Sequence, residues 1–171
     1  SGTKTSSLMF GVQWDLVLAF MSKDTAKVTD TRKLTSNSTT IGNYRNSVFQ
    51  LSQTGKYATM SDWSLSSTWN QSTKPTTNFV DSSRNKIAQS SDGNGILVTT
   101  GTSEKNKVMN IYDVAGNVWE WTLEKTSNTD NPCAHRGGSC VDTGSDFHAA
   151  YRGNTSTDDS NLILGFRVSL F

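Results

Sequence analysis

Few side chains in this sequence could do chemistry. Cys133 and Cys140 stand seven apart across Arg136-Gly137-Gly138. Two thiols are too few for a disulfide framework, so they read as unpaired or, in an exported protein, as a single bridge. His135 and His148 have no further ligands at metal-site spacing and read as surface or contact residues. Asp158 and Asp159 are neighbours rather than facing carboxylates, so they do not form a general acid and base pair. No nucleophile motif or phosphate-cradling glycine loop occurs, and the residues predict a domain without catalysis.

The elements that position these side chains centre on Asn110 to Trp121, N-I-Y-D-V-A-G-N-V-W-E-W. Tyr112, Val114, Val118, Trp119 and Trp121 offer aromatic and β-branched surface, and Ala115-Gly116-Asn117 a turn needing positive φ or close backbone approach. His135 to Ser139 reads as a strand, and Leu164 to Leu170 as a closing strand. Upstream, Val12 to Met21 carries apolar residues on two adjoining helical faces, predicting a largely buried helix. The stretch from Ser22 to Gln53 reads as surface loops, and Met60 to Trp69 as an ordered loop anchored by Trp63 and Trp69. Gln71 to Gly95, with Pro75, reads as a connection, Gly95 to Gly101 as a strand, and Thr126 to Asn131 as a turn-rich loop.

At 171 residues, the chain predicts one domain over 8–171. Only 33% of residues are hydrophobic, so the 5 Trp, 7 Phe and 4 Tyr must carry much of the burial. A net charge of +1 with no Lys/Arg run gives no footprint for nucleic acid or a membrane surface. The longest apolar run, Phe10 to Met21, is broken by Gln13 and Asp15, which argues against membrane insertion. Residues 1–7 read as a flexible start, either an expression remnant or a join to an upstream segment, which would make the domain the tip of a longer chain. Homo-oligomerisation is left open.

Taken in order, Y-D-x-x-G-N-V-W-E-W, R-G-G-S at 136–139 and G-F-R at 165–167 resemble the formylglycine-generating-enzyme (sulfatase-modifying-factor) family. The resemblance covers Thr100 to Leu170 clearly and implies an α+β, C-type-lectin-like fold, loop-rich, with small mixed sheets and one or two helices. It implies a fixed frame of Trp119, Trp121, Arg136, Gly137, Gly138, Gly165, Phe166 and Arg167, with Phe166 in the core and both arginines in buried or semi-buried hydrogen bonds. It also places a structural calcium on Asp113, Glu120 and the carbonyls of Gly116 and Val118, the hard oxygen ligands that ion needs. The residues themselves equally allow Asp113 to cap its own turn and Glu120 to pair with a cation. Enzymatic members bind copper through two cysteines, three and eight residues after the Ser of R-G-G-S. Asp142 and Phe147 stand there, and neither ligates copper(I), which wants sulfur. A divergent copper oxidase using Cys133 and Cys140 is the alternative, although Cys140 is a poor substitute by position.

Composition shifts sharply near the end. All 27 Lys, Glu, Gln, Met and Trp residues precede Ser139, where the same rate would put roughly six in the last 33 positions. None of these five types has a codon ending in a pyrimidine. Adenine-directed randomisation of Asn codons leaves that footprint, and the chain resembles the variable proteins of diversity-generating retroelements. The predicted variable face is Cys140, Val141, Asp142, Asp146, Phe147, His148, Tyr151, Asn154, Asp158, Asp159, Asn161 and Leu162, a mixture resembling a paratope. The expected function is binding of a protein or other cell-surface ligand as a phage-virion or bacterial-surface adhesin. A structural domain of a virion fibre is a further alternative.

Overall fold

The computed structural model describes residues 5–51, 55–71 and 80–170. The chain opens with β1 (Ser6–Leu8) and α1 (Gly11–Met21), followed by α2, a single turn at Arg32–Thr35. Next come β2 (Lys56–Ser61), β3 (Ser64–Leu65), β4 (Asn70–Gln71) and β5 (Gly95–Val98). The C-terminal half carries β6 (Lys107–Val108), β7 (Ile111–Tyr112), β8 (Trp119–Lys125), β9 (Cys133–Arg136) and β10 (Arg152–Thr155), then β11 (Leu164–Phe166) and β12 (Val168–Leu170). One four-stranded sheet runs β10-β9-β8-β11, antiparallel except for the parallel β11–β8 pair. A second sheet sets β3, β4 and β5 around β2.

Helix α1 packs against β8 and buries one stripe, Trp14, Leu18 and Met21, at the i, i+4, i+7 spacing of a single helical face. The expected burial on two faces is corrected: Val12 and Leu16 are 66% and 64% exposed. Trp14 joins the frame's two arginines, its ring centre 5.9 Å from the Arg136 guanidinium and 5.7 Å from that of Arg167. Its indole N–H donates to the Ala149 carbonyl at 3.0 Å. Full burial of a side chain this size stabilises by roughly 1.5–3 kcal/mol or more.

Four further expectations change. Ser6 and Ser7 are paired with Leu170 and Ser169, so the flexible start does not extend to them. Residues 60–65 form a hairpin, with positive φ at Asp62 and Trp63, the turn conformation that matches strand twist. Trp63 and Trp69 are exposed there rather than anchoring a loop. Leu164 to Leu170 is two strands, broken at Arg167, the first on β8 and the second on β1. Pro75 lies outside the described residues.

Candidate functional site

The turn after β7 is the hub. Gly116 and Asn117 both take positive φ, and a Cβ on Gly116 would collide with the Asn43 carbonyl. The Asn117 side chain pairs with the Val98 backbone in both directions, at 3.0 Å each way, and accepts from Asn43 Nδ2 at 3.0 Å. β5, the segment around Asn43 and β8 are thereby joined at one buried point. Past β9, Gly137 and Gly138 have φ of +92° and +75°. The Gly137 carbonyl accepts from the Tyr44 hydroxyl and the Gly116 N–H, each at 2.8 Å.

Arg136 is fully buried. It donates to Asp15 at 2.6 Å and Glu124 at 3.2 Å, and half-exposed Arg152 reaches the same two carboxylates at 2.6 and 2.7 Å. Two cations and two anions thus tie α1, β8, β9 and β10 together on the α1 side of the sheet. A buried guanidinium requires such partners.

At the expected calcium position, Arg167 grips both carboxylate oxygens of Glu120 and donates to the carbonyls of Asp113 and Tyr112 at 3.2 and 3.4 Å. The Asp113 carboxylate accepts from Gly101 N–H at 3.1 Å and Asn106 Nδ2 at 3.4 Å. Of the four expected ligands, the two carboxylates are thus engaged, Glu120 by a guanidinium and Asp113 by neutral donors, so a divalent ion placed on Asp113, Gly116, Val118 and Glu120 would have to displace Arg167 from Glu120. Burial pushes the Asp113 carboxyl up to about 6 and raises that of Glu120, the latter opposed by Arg167.

The cysteines do not form a pair. Cys133 opens β9 opposite Lys125, whereas Cys140 lies beyond the other end of that strand, buried with its sulfur 3.7 Å from that of Met60. Burial pushes the Cys140 thiol up to about 12, far from the thiolate that copper needs. Where the family thiols would fall, Asp142 accepts from the Ser139 N–H at 2.9 Å and hydroxyl at 2.5 Å, which closes the turn. Phe147 stacks edge-on against Trp119 at 5.4 Å and Tyr151 at 5.0 Å.

The predicted variable face divides. Asp146, Asp158, Asp159, Asn161 and Leu162 are exposed, and Phe147, His148 and Tyr151 are half-buried. Cys140, Val141 and Asp142 are buried and do not belong to it, because the two glycines before Ser139 turn the chain inward. Asn154 is exposed but pairs with Ala134 and alternates with Gly153, which puts it on the same side of the sheet as Arg152 and α1.

The opposite side gathers Trp119, Trp121 and Phe166, assigned from the sequence to the frame, with His135, read there as a surface or contact residue. Cross-strand register sets Phe166 beside Trp121, Trp121 beside His135 and His135 beside Gly153, one row across four strands. The His135 ring lies over Gly153, where any Cβ would strike it. Phe166, expected in the core, is 66% exposed, and Trp121 and His135 are half-buried. In the row behind stands buried Trp119, with the His135 ring at 4.3 Å and Tyr151 at 5.8 Å. Asp159 sits on the rim of this face, held by the Thr155 hydroxyl at 2.7 Å. The alternation Trp119, Trp121 against His135 was the available signal, but reading it required the register. Desolvation lowers the His135 pKa despite the nearby Asp159 carboxylate, so the ring is neutral at pH 7.

Two helices and small mixed sheets among the described residues make this an α+β domain of the C-type-lectin-like class. A model of the sulfatase-modifying factor enzyme 1-like domain matches residues 45–170, and the chain belongs to that family. No curated protein and no solved structure matches.

Proposed function

We propose that this domain is a binding module without catalytic activity, displaying exchangeable side chains on a fixed frame. The observation that carries the reading is the fate of the two positions where family members place their thiols: one holds a carboxylate closed onto Ser139, the other a phenyl ring packed on Trp119. With Cys140 buried and remote from Cys133, the two cysteines do not form the thiol pair that family members use to bind copper. What lies open instead is a surface of rings, amides and carboxylates, the chemistry of an adaptable contact face.

The compositional footprint adds the source of the exchange. Asp146, Asp158, Asp159, Asn161 and Leu162 all have codons ending in a pyrimidine, and all are exposed. A retroelement copying a template with adenine errors would change such side chains while leaving Arg136-Gly137-Gly138 and Gly165-Phe166-Arg167 intact. The ligand on this reading is a protein or other molecule on a cell surface, and the domain acts on a phage virion or bacterial surface.

Sequencing the gene's neighbourhood tests this. The expected finding is a near-copy of the 3′ end of the gene, differing only at adenines, beside a reverse-transcriptase gene. Substitutions among alleles scattered evenly along the gene, with no such copy, would overturn it.

A further inference from the structure

The charges around the aromatic row indicate what it holds. Past the last frame turn, the exposed carboxylates are Asp146, Asp158 and Asp159. Arg152, the one cation between Ser139 and Gly165, is tied by Asp15 and Glu124 on the other side of the sheet. On the ring side of the sheet, a cation among the described residues is Lys125, which pairs with Cys133 beyond the register shift that separates it from Trp121 on β8. The face thus combines π surface, from Phe166 and Trp121, with the carboxylate of Asp159, near enough to act on the charge of His135, and with Asp158 next to it in the chain. Those two features favour one ligand chemistry: ammonium and guanidinium groups are attracted both by ring faces and by carboxylates. An acidic ligand would be repelled by the same carboxylates.

Resting on the reading that this face binds a ligand, we propose that it recognises an exposed protein segment rich in Lys or Arg, cationic side chains lying over Phe166 and Trp121 with Asp158 and Asp159 as counter-charges. The apolar stems of those side chains would cover the exposed Leu162 and Phe166 while their heads reach the rim.

The test is a titration of the ¹⁵N-labelled domain, followed by two-dimensional NMR, with three probes. These are a capped nonapeptide alternating Lys and Ala, its Glu counterpart, and a neutral maltooligosaccharide. The Lys peptide should shift the Trp121 indole N–H and the amides of 158–159 and 164–166, and salt should weaken it. The double variant Asp158→Asn/Asp159→Asn, at exposed positions that leave the fold intact, should weaken it roughly three- to tenfold. If the Glu peptide or the sugar shifts the same resonances more strongly, the face still binds but the cationic preference is wrong. If the Lys peptide shifts only residues elsewhere, or none, the proposal fails outright.

Discussion

Arg167→Ala tests how the frame is held. In the native domain this guanidinium faces both Glu120 oxygens and two carbonyls, and Glu120 is buried. Removing one partner of a buried pair leaves the other charged and unpaired, which costs about 3–5 kcal/mol. At about 2–4 °C per kcal/mol for a domain of this size, the melting temperature should fall by roughly 6–20 °C at pH 7. The deficit should shrink toward pH 5. With the cation gone, the raised pKa values of Glu120 and Asp113 let both carboxyls protonate in the folded state. Differential scanning calorimetry of wild type and variant at pH 5 and 7, each with millimolar calcium and with chelator, reads all of this. Wild type should melt at the same temperature in calcium and chelator, because Arg167 already takes the cation's place. A variant within 3 °C of wild type, or a wild type stabilised by calcium, would refute the reasoning.

Three other outcomes follow from buried groups. Lys86 is fully buried, with Nζ donating to the Tyr44 carbonyl, and desolvation brings its pKa down to about 7 from an unfolded value of 10.5. A depressed base gives stability above its unfolded pKa that is lost as pH falls through the folded one, so Lys86→Met should raise the melting temperature, most below pH 7. The Tyr44 carbonyl keeps a second donor, the Ser47 N–H at 3.0 Å, so the substitution strands no acceptor. Asp113 works in the opposite sense. Its folded pKa of about 6 lies above the unfolded 3.8, so its contribution is full below 3.8 and lost as pH rises through 6, and the urea midpoint of Asp113→Asn, whose neutral side chain does not titrate, should gain on that of wild type between pH 5.5 and pH 7.5. A thiol reagent should label half-buried Cys133 in native protein and Cys140 only after denaturation, and early labelling of Cys140 by mass spectrometry would contradict its burial.

The frame was legible in the sequence because its parts depend on backbone rather than packing. Gly116, Asn117, Gly137 and Gly138 sit where positive φ or a crowded backbone leaves little choice, and those requirements are local. Helix α1 was legible as a helix but not in its burial, since apolar residues on two faces cannot say which face finds a partner. β2 escaped notice because Tyr57 to Met60 are all buried, so no polar alternation marks the strand. The contact face was half legible. Exposure of Asp158 and Leu162 agrees with the footprint, but Cys140 to Asp142 carry the same footprint and point inward, a direction set by two glycine dihedrals. Phe166 was misplaced because in the parallel pairing with β8 its side chain shares the open side with Trp121.

The claim beneath all of this is that the frame keeps its shape whatever side chains the rim carries. It is measured most directly by displaying two libraries and scoring the protease-resistant fraction of each. One randomises 146, 158, 159, 161 and 162 with codons ending in a pyrimidine, and the other randomises 140, 141 and 142 in the same way. The account predicts that most members of the first library stay resistant and most of the second do not. Equal loss of resistance in both would contradict it.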